Sequence, residues 1–209
     1  MNKPTIFEEI KDQKKRGVLL VLTGPTGAGK DAIFSRLLND DPDRFTKLTT
    51  TTSRDLRAYE SEGNPYFFKT RDEFEEMIAD GKFFEWVEFR GALYGTQKKT
   101  IDEALKSGKD VIWHIEAKGI KNIKQKIKES VKRSVFVYLT APSVEDLKKR
   151  VNKDEGKEVI HRWNESLVVW EMEQYDDCDY LVVNEDGKIE EAIKKIKAIM
   201  NAKREEILR

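Results

Sequence analysis

The sequence predicts an α/β fold built on a central parallel sheet, and three observations lead to this prediction. Apolar runs typical of buried strands alternate with stretches of helical periodicity, which is the pattern of successive βα units. A glycine-rich turn connects the first of these strands to the first helix. Across residues 48–98 the alternation gives way to threonines, aromatic residues and one short helix, which indicates a subdomain inserted into the winding order of the sheet.

The separate elements follow from runs of apolar residues and from their spacing. Strands are predicted at 18–23, 110–115, 134–139 and 180–183. Helices are predicted at 31–38, 72–80, 100–107, 120–130, 144–151 and 188–206. Ser143, followed three residues later by Asp146, is typical of a capping box at a helix start. In the last helix the apolar residues recur at helical spacing, so we expect one face to pack on the sheet.

Composition narrows the class of protein. The 209 residues suffice for one domain with an insertion or for two small domains. The 39 basic residues balance 39 acidic ones, so the net charge gives no indication of a nucleic-acid partner. The single Cys178 excludes an intramolecular disulfide and, with only two histidines, a Cys- or His-rich metal site. No apolar run approaches the ~20 residues that span a bilayer, and the N-terminus lacks the apolar core of a signal peptide. We expect a cytoplasmic protein, monomeric or homodimeric, that contacts no membrane.

The strongest local signal lies in residues 19–34, where a strand-like run leads into a glycine-rich turn, a lysine and a helix. The spacing from Gly24 to Lys30 matches G-x-x-x-x-G-K, the pattern of a phosphate-binding loop. Glycines allow successive backbone N–H groups to surround an anion, the helix N-terminus adds partial positive charge, and Lys30 adds a full one. The alternative is a glycine-rich turn with a solvated lysine. The flanking strand and helix favour a nucleoside triphosphate site.

A second group of candidate ligands lies in the inserted segment. Arg54 and Arg57 follow a threonine-rich run, and paired guanidinium groups bind phosphate through forked hydrogen bonds. Aromatic residues follow in three short runs, at 65–68, 84–86 and 94–96. Within the second run, the carboxylate of Glu85 can accept hydrogen bonds from two adjacent N–H donors, which guanine presents and adenine does not. Taken singly, the arginines also fit a solvated face, and a lone Phe-Phe or Glu-Trp is more often a sign of local packing than of recognition.

The order of these segments resembles the guanylate kinase family, which phosphorylates GMP with ATP. The matching segments are G-P-T-G-A-G-K, T-T-T-S-R-D-L-R, P-Y-F-F, E-F-E-E-M-I-A-D-G-K-F-F-E-W, Y-G-T and A-P-S-V-E-D-L-K-K-R. They extend over residues 17–186, and the run at 74–96 is the most specific of them. The resemblance implies a P-loop NTPase three-layer fold with a central parallel sheet, an inserted GMP-binding subdomain and a short lid. It also implies ATP and GMP as substrates, with Mg²⁺ accompanying the ATP.

The resemblance further implies roles for individual residues. Those that would bind ATP are Gly24, Pro25, Thr26, Gly27, Ala28, Gly29, Lys30, Asp31 and Asn184. Those that would bind GMP are Thr50, Arg54, Arg57, Tyr66, Glu85, Tyr94, Thr96 and Glu116. Those that would stabilise charge during transfer, as catalytic residues, are Lys30, Arg57 and Arg162. On this basis the chain divides into an N-terminal extension (1–15), core segments (16–47, 99–151 and 166–209), a GMP-binding insertion (48–98) and a lid (152–165).

Two positions and one segment depart from the family pattern. Asp31 replaces the Ser or Thr whose hydroxyl usually contacts Mg²⁺. Its carboxylate either binds the metal, directly or through water, or turns away and favours the helix N-terminus. His114 and Glu116 stand where an acid-x-acid pair is usual, so only Glu116 supplies an anion. The lid is short and lacks a usual arginine, for which Lys153 is a candidate substitute as a point charge.

Two alternatives stay open at this point. A related kinase family that phosphorylates ribose 1,5-bisphosphate has Gly-Lys-Asp in its loop, as this chain has at 29–31, but lacks the segments found here at 65–68 and 84–86. The other alternative is a catalytically impaired guanylate-kinase-like binding module. Such modules typically lose the phosphate-binding loop, whereas this chain keeps its three glycines and Lys30.

Overall fold

The structure is a computed structural model that describes residues 15–58, 60–64, 66–89, 91–115, 120–153 and 165–208. The chain folds into two compact units. The described residues of the first unit lie within 15–17 and 46–111, and those of the second lie within 18–45 and 112–208. Most of the predicted extension at 1–15 and of the predicted lid at 152–165 lies outside the described residues.

Nine strands and seven α-helices occur within the described residues. The strands are β1 (Leu19–Thr23), β2 (Phe45–Lys47), β3 (Thr50–Thr52), β4 (Tyr66–Phe68), β5 (Phe83–Phe89), β6 (Ala92–Gln97), β7 (Asp110–His114), β8 (Ser134–Thr140) and β9 (Tyr180–Val183). The helices are α1 (Lys30–Asp40), α2 (Arg71–Ala79), α3 (Lys98–Lys106), α4 (Ile120–Ser130), α5 (Val144–Lys153), α6 (Glu165–Glu173) and α7 (Ile189–Leu208). A short 3₁₀ helix, Gln174–Asp177, follows α6.

A five-stranded sheet has the order β2-β7-β1-β8-β9, and the pairs β1–β8 and β8–β9 are parallel. Every residue of β1 and β8 is buried, which explains why both strands read as nearly continuous apolar runs. Helix α7 buries Ala192, Ile193, Ile196 and Met200 in the same core cluster as Leu20, Leu22 and Val137. The predicted parallel sheet and the predicted inward face of the last helix are therefore confirmed.

A four-stranded sheet in the first unit has the order β4-β3-β6-β5, with β3 parallel to β4 and antiparallel to β6. Helix α2 begins with a capping box between Thr70 and Glu73 and buries Phe74, whose ring stacks on Phe83 at 4.4 Å between centroids. A Cβ at Gly95 would lie 2.9 Å from the Phe83 ring and 3.0 Å from the Phe74 ring. The glycine of the Y-G-T segment therefore makes room for this small aromatic core.

Helix α6 was not predicted from the sequence. Its apolar residues include the consecutive Val168, Val169 and Trp170, so they show no helical period, and only Val168 of these three is buried. Ser143 caps α5 as predicted, because its hydroxyl accepts the Asp146 backbone N–H at 3.1 Å and donates to the Asp146 carboxylate at 2.8 Å. Among the helices described, none is both long enough and apolar enough to cross a membrane.

Candidate active site

The segment between β1 and α1 forms a turn whose shape depends on glycine. Gly24 has φ +143° and Gly29 has φ +90°, values that side-chain-bearing residues rarely adopt. A Cβ at Gly24 would lie 1.9 Å from the Leu139 carbonyl oxygen, so the backbone of β8 also excludes any larger residue there. The turn that the sequence predicted as a phosphate-binding loop is therefore packed tightly against the central sheet.

The start of helix α1 presents positive charge at this turn. Gly29 is the N-cap residue and makes no side-chain capping hydrogen bond. A helix N-terminus carries partial positive charge, which favours an anion at this position. The Lys30 ammonium donates to the carbonyl oxygens of Gly24 at 2.7 Å and Pro25 at 3.0 Å. These contacts hold the ammonium over the loop, where it adds a full charge to the helix dipole.

Asn184 supports the loop from the end of β9. Its side-chain amide donates to the Ala28 carbonyl at 3.0 Å, and a Cβ at Gly29 would lie 2.6 Å from the same nitrogen. Arg150 in turn donates to the Asn184 backbone carbonyl at 2.7 Å and to the Asp186 carboxylate at 2.8 Å. Arg150 was not singled out in the sequence, although it closes the segment A-P-S-V-E-D-L-K-K-R.

Asp31 and His114 lie close together beside the loop. The Asp31 side chain is 95% exposed in the first turn of α1, and its Oδ1 lies 3.4 Å from Nδ1 of His114. His114 Nε2 is buried and has no hydrogen-bond partner among the described residues. Within the same residues, no group of three or more His, Cys, Asp or Glu side chains could hold a metal ion. An exposed carboxylate such as that of Asp31 still fits Mg²⁺, which prefers oxygen ligands and usually keeps several of its waters.

In the first unit, Arg54 lies at the centre of a charged and aromatic cluster. Its guanidinium donates to both carboxylate oxygens of Glu60, at 2.8 and 3.0 Å, and the bond to this carboxylate raises the pKa of Arg54. The guanidinium carbon lies 5.8 Å from the Tyr66 ring centroid and 5.6 Å from that of Phe68. The Tyr66 and Tyr94 rings meet edge to face at 5.8 Å. The structure thus brings together three of the predicted GMP ligands, Arg54, Tyr66 and Tyr94.

Glu85 and Thr96 form a second group on the hairpin of β5 and β6. They are register partners, and the Thr96 hydroxyl donates to Glu85 Oε1 at 2.7 Å. Burial raises the pKa of Glu85, against the opposing effect of the Thr96 hydrogen bond. Thr50 is the register partner of Tyr66, and Gln97 donates to the neighbouring Thr51 hydroxyl at 2.6 Å.

Several predicted site residues are not placed in either the Arg54 group or the Glu85 group. Glu116 and Arg162 lie outside the described residues. Arg57 contributes its backbone N–H, which donates to Glu60 at 2.9 Å. Glu60 itself was missed, because one glutamate among 39 acidic residues gives no signal until the loop is folded.

The strand, the glycine turn, the lysine and the helix on a parallel sheet define a P-loop nucleotide-binding protein. A family model described as guanylate kinase matches residues 16–203. The guanylate kinase of Bacillus subtilis (strain 168) is 37% identical over 190 residues, which cover 90% of this chain and 90% of that protein. The guanylate kinase of Shouchella clausii (strain KSM-K16) is 37% identical over 202 residues, covering 94% and 95% of the two chains.

A solved structure agrees with these relatives. The crystal structure of guanylate kinase from Anaplasma phagocytophilum superposes with a TM-score of 0.61 at 26% identity, covering 90% of this chain and 87% of that one. The chain belongs to the guanylate kinase family.

Proposed function

We propose that this protein transfers the γ-phosphoryl group of ATP to GMP, giving ADP and GDP. The observation that carries the proposal is that two groups suited to GMP occur in the first unit, on the strands of its sheet and on the loop that follows β3. The half-buried Glu85 carboxylate with Thr96 suits the guanine edge, and Arg54 with Tyr66 and Tyr94 suits a phosphate. Adenine lacks the pair of N–H donors that a carboxylate accepts, so this set favours GMP over AMP.

The donor site is supported by the turn before α1. In the proposal, Gly24, Pro25, Thr26, Gly27, Ala28, Gly29 and Lys30 surround the ATP phosphates, and Asn184 lies near the adenine. Asp31 is the proposed protein ligand of the Mg²⁺ that accompanies ATP, and the bound ion would supply neutralisation of phosphate charge. Its exposed carboxylate at the helix start is an oxygen donor of the kind that this ion takes.

The proposed acceptor site consists of residues that the family resemblance assigns to GMP. They are Thr50, Arg54, Arg57, Tyr66, Glu85, Tyr94, Thr96 and Glu116. Apart from Glu116, these residues belong to the proposed GMP-binding insertion at residues 48–98. The proposed short lid comprises residues 152–165. The proposed location is the cytoplasm, and the proposed assembly is a monomer or a homodimer.

The proposed chemistry is an in-line displacement at phosphorus. An oxygen of the GMP phosphate attacks the γ-phosphorus, a new P–O bond forms, and the bond to the bridging oxygen breaks with its electron pair leaving on ADP. The attacking oxygen is already anionic, so no general base is required. Positioning and charge neutralisation supply the acceleration, and Lys30, Arg57 and Arg162 are the proposed catalytic residues.

A comparison of phosphate acceptors tests this proposal against its alternatives. Purified protein is given ATP and Mg²⁺ with GMP, dGMP, AMP or ribose 1,5-bisphosphate, and ADP release is followed by a coupled assay. We expect turnover with GMP and little with AMP or the sugar bisphosphate. Turnover confined to ribose 1,5-bisphosphate would identify the related kinase. ATP binding without product from any acceptor would identify a binding module.

A further inference from the structure

We propose that Glu60 is a positioning residue for the acceptor phosphate, because its carboxylate fixes the orientation of Arg54 and the backbone at Arg57. This inference deepens the proposed function and rests on it. Glu60 itself would not touch GMP. It would act through the arginine that does.

Both oxygens of the Glu60 carboxylate accept hydrogen bonds within the loop. Its Oε1 accepts from Nη2 of Arg54 at 2.8 Å, and its Oε2 accepts from Nη1 of Arg54 at 3.0 Å and from the Arg57 backbone N–H at 2.9 Å. The Glu60 side chain is 5% exposed, and the Arg54 bonds lower its pKa, so it stays ionised. One anionic side chain therefore ties together both arginines that the proposal assigns to the acceptor phosphate.

The geometry leaves one edge of the Arg54 guanidinium for a ligand. A guanidinium carries five N–H donors in a rigid fork, and two of its edges can bind a carboxylate or phosphate in a bidentate way. Glu60 takes the end formed by Nη1 and Nη2, and the Asp55 carbonyl accepts the other Nη1 hydrogen at 2.6 Å. The edge formed by Nε and the outer Nη2 hydrogen has no carboxylate partner within the described part of the chain.

Neighbouring aromatic residues support the same orientation. The guanidinium lies near the rings of Tyr66 and Phe68, and the Tyr94 hydroxyl also hydrogen-bonds to it and raises its pKa. Tyr94 is itself a proposed phosphate ligand, so its contact with Arg54 brings the guanidinium beside a second polar group of the proposed acceptor site. An arginine already fixed in this way does not lose its side-chain freedom when the phosphate binds.

The opposite role is physically possible and makes a contrary prediction. A buried anion beside the site repels phosphate, so Glu60 could instead compete with GMP for Arg54. In that case, removal of the carboxylate would tighten GMP binding. The carboxylate-free edge of the guanidinium decides for positioning, because the phosphate need not displace Glu60 to bind Arg54.

Calorimetric titration with GMP and with guanosine tests the inference. The Kd for guanosine divided by the Kd for GMP measures what the phosphate contributes to affinity. A general loss of structure would weaken the binding of both ligands and leave this ratio unchanged. We expect Glu60→Ala to lower this ratio about tenfold, which corresponds to the freedom regained by one arginine side chain. The affinity for guanosine should stay within about twofold of the wild-type value, well below the expected tenfold change in the ratio. Glu60→Gln keeps one acceptor oxygen and should give an intermediate ratio.

Three further variants complete the test: Glu88→Ala, Arg54→Ala, and Arg54→Ala combined with Glu60→Ala. Glu88→Ala removes the exposed carboxylate that pairs with Arg71 in the same unit, at 2.9 Å, and should leave the ratio unchanged. In an Arg54→Ala background, Glu60→Ala should have little additional effect, because Glu60 acts through Arg54. An unchanged or increased ratio in Glu60→Ala, or equal losses for GMP and guanosine in both Glu60 variants, would overturn the inference. Absence of GMP binding by the wild type would instead refute the proposed function and remove the basis of the inference.

Discussion

Replacing Gly29 with alanine tests how the turn before α1 is held in shape. The substitution adds one methyl group at a position with φ +90°, and that methyl would lie 2.6 Å from Nδ2 of Asn184. The backbone cannot relax freely, since Gly29 is the N-cap of α1 and its carbonyl accepts the Ile33 N–H at 3.0 Å. The Asn184 side chain must therefore move.

The magnitude has two parts. A side-chain-bearing residue in a left-handed conformation costs about 1–2 kcal/mol. Asn184 is 6% exposed and donates to the Ala28 carbonyl, so its displacement leaves that carbonyl without its side-chain donor. Loss of a partner for a buried polar group costs about 1–3 kcal/mol. We therefore expect Gly29→Ala to lower the free energy of unfolding by about 2–5 kcal/mol, a large share of the ~5–15 kcal/mol typical of a folded domain.

Urea unfolding followed by circular dichroism measures this loss, and Gly187→Ala is the matched control. Gly187 belongs to the same unit and has φ +74°, but a Cβ there would meet nothing within 4 Å. It should show only the conformational cost of about 1–2 kcal/mol. In an Asn184→Ala background the cost of Gly29→Ala should fall to that of the control, because the clashing nitrogen is gone. Equal losses for Gly29→Ala and Gly187→Ala in the wild-type background would refute this reasoning.

Three other substitutions give expected outcomes. Lys30→Ala should lower kcat about 10²–10³-fold, because the donor site loses its cation. The calorimetric affinity for GMP should stay unchanged, and wild-type turnover would contradict the catalytic role of Lys30. Asp31→Asn should raise the Mg²⁺ concentration needed for half-maximal rate, and an unchanged metal titration would show that Asp31 is not a ligand. Burial raises the pKa of Glu85, so the ionised carboxylate costs stability at neutral pH and ceases to do so below its unfolded pKa. Glu85→Gln should therefore raise Tm at pH 7 but not at about pH 4. It should also reduce the preference for GMP over AMP in kcat/KM. A lower Tm at pH 7 would show that the ionised carboxylate does not cost stability, and an unchanged preference would show that it does not recognise guanine.

The parts of the fold that were predicted correctly are those whose burial leaves a mark on the sequence. Strand β8 is buried along its whole length, so it reads as one apolar run, and α7 buries one face, so its apolar residues recur at helical spacing. Helix α6 showed no helical spacing of apolar residues, because Val168 is buried but the adjacent Val169 is also apolar although it is exposed. The sequence therefore does not mark which face of this helix is buried. The family and the parallel α/β architecture were predicted and are confirmed.

The site was only partly accessible from the sequence, for a related reason. The spacing from Gly24 to Lys30 is local, and the structure shows the expected turn between strand and helix. The support that Asn184 gives to Ala28 joins residues 156 positions apart, and no local pattern encodes it. The Glu60 carboxylate became visible only when the folded loop showed which donors it accepts. The individual substrate roles of the site residues stay predictions.

The most direct test of the central claim is the stoichiometry of the products. The protein is incubated with ATP, GMP and Mg²⁺, and the nucleotides are separated by anion-exchange chromatography at successive times. The proposed reaction predicts that GDP and ADP appear in equal amounts, that GMP and ATP disappear at the same rate, and that omission of GMP stops ADP formation. ADP formation that proceeds without GDP, or GMP that stays unconsumed while ATP binds, would contradict it.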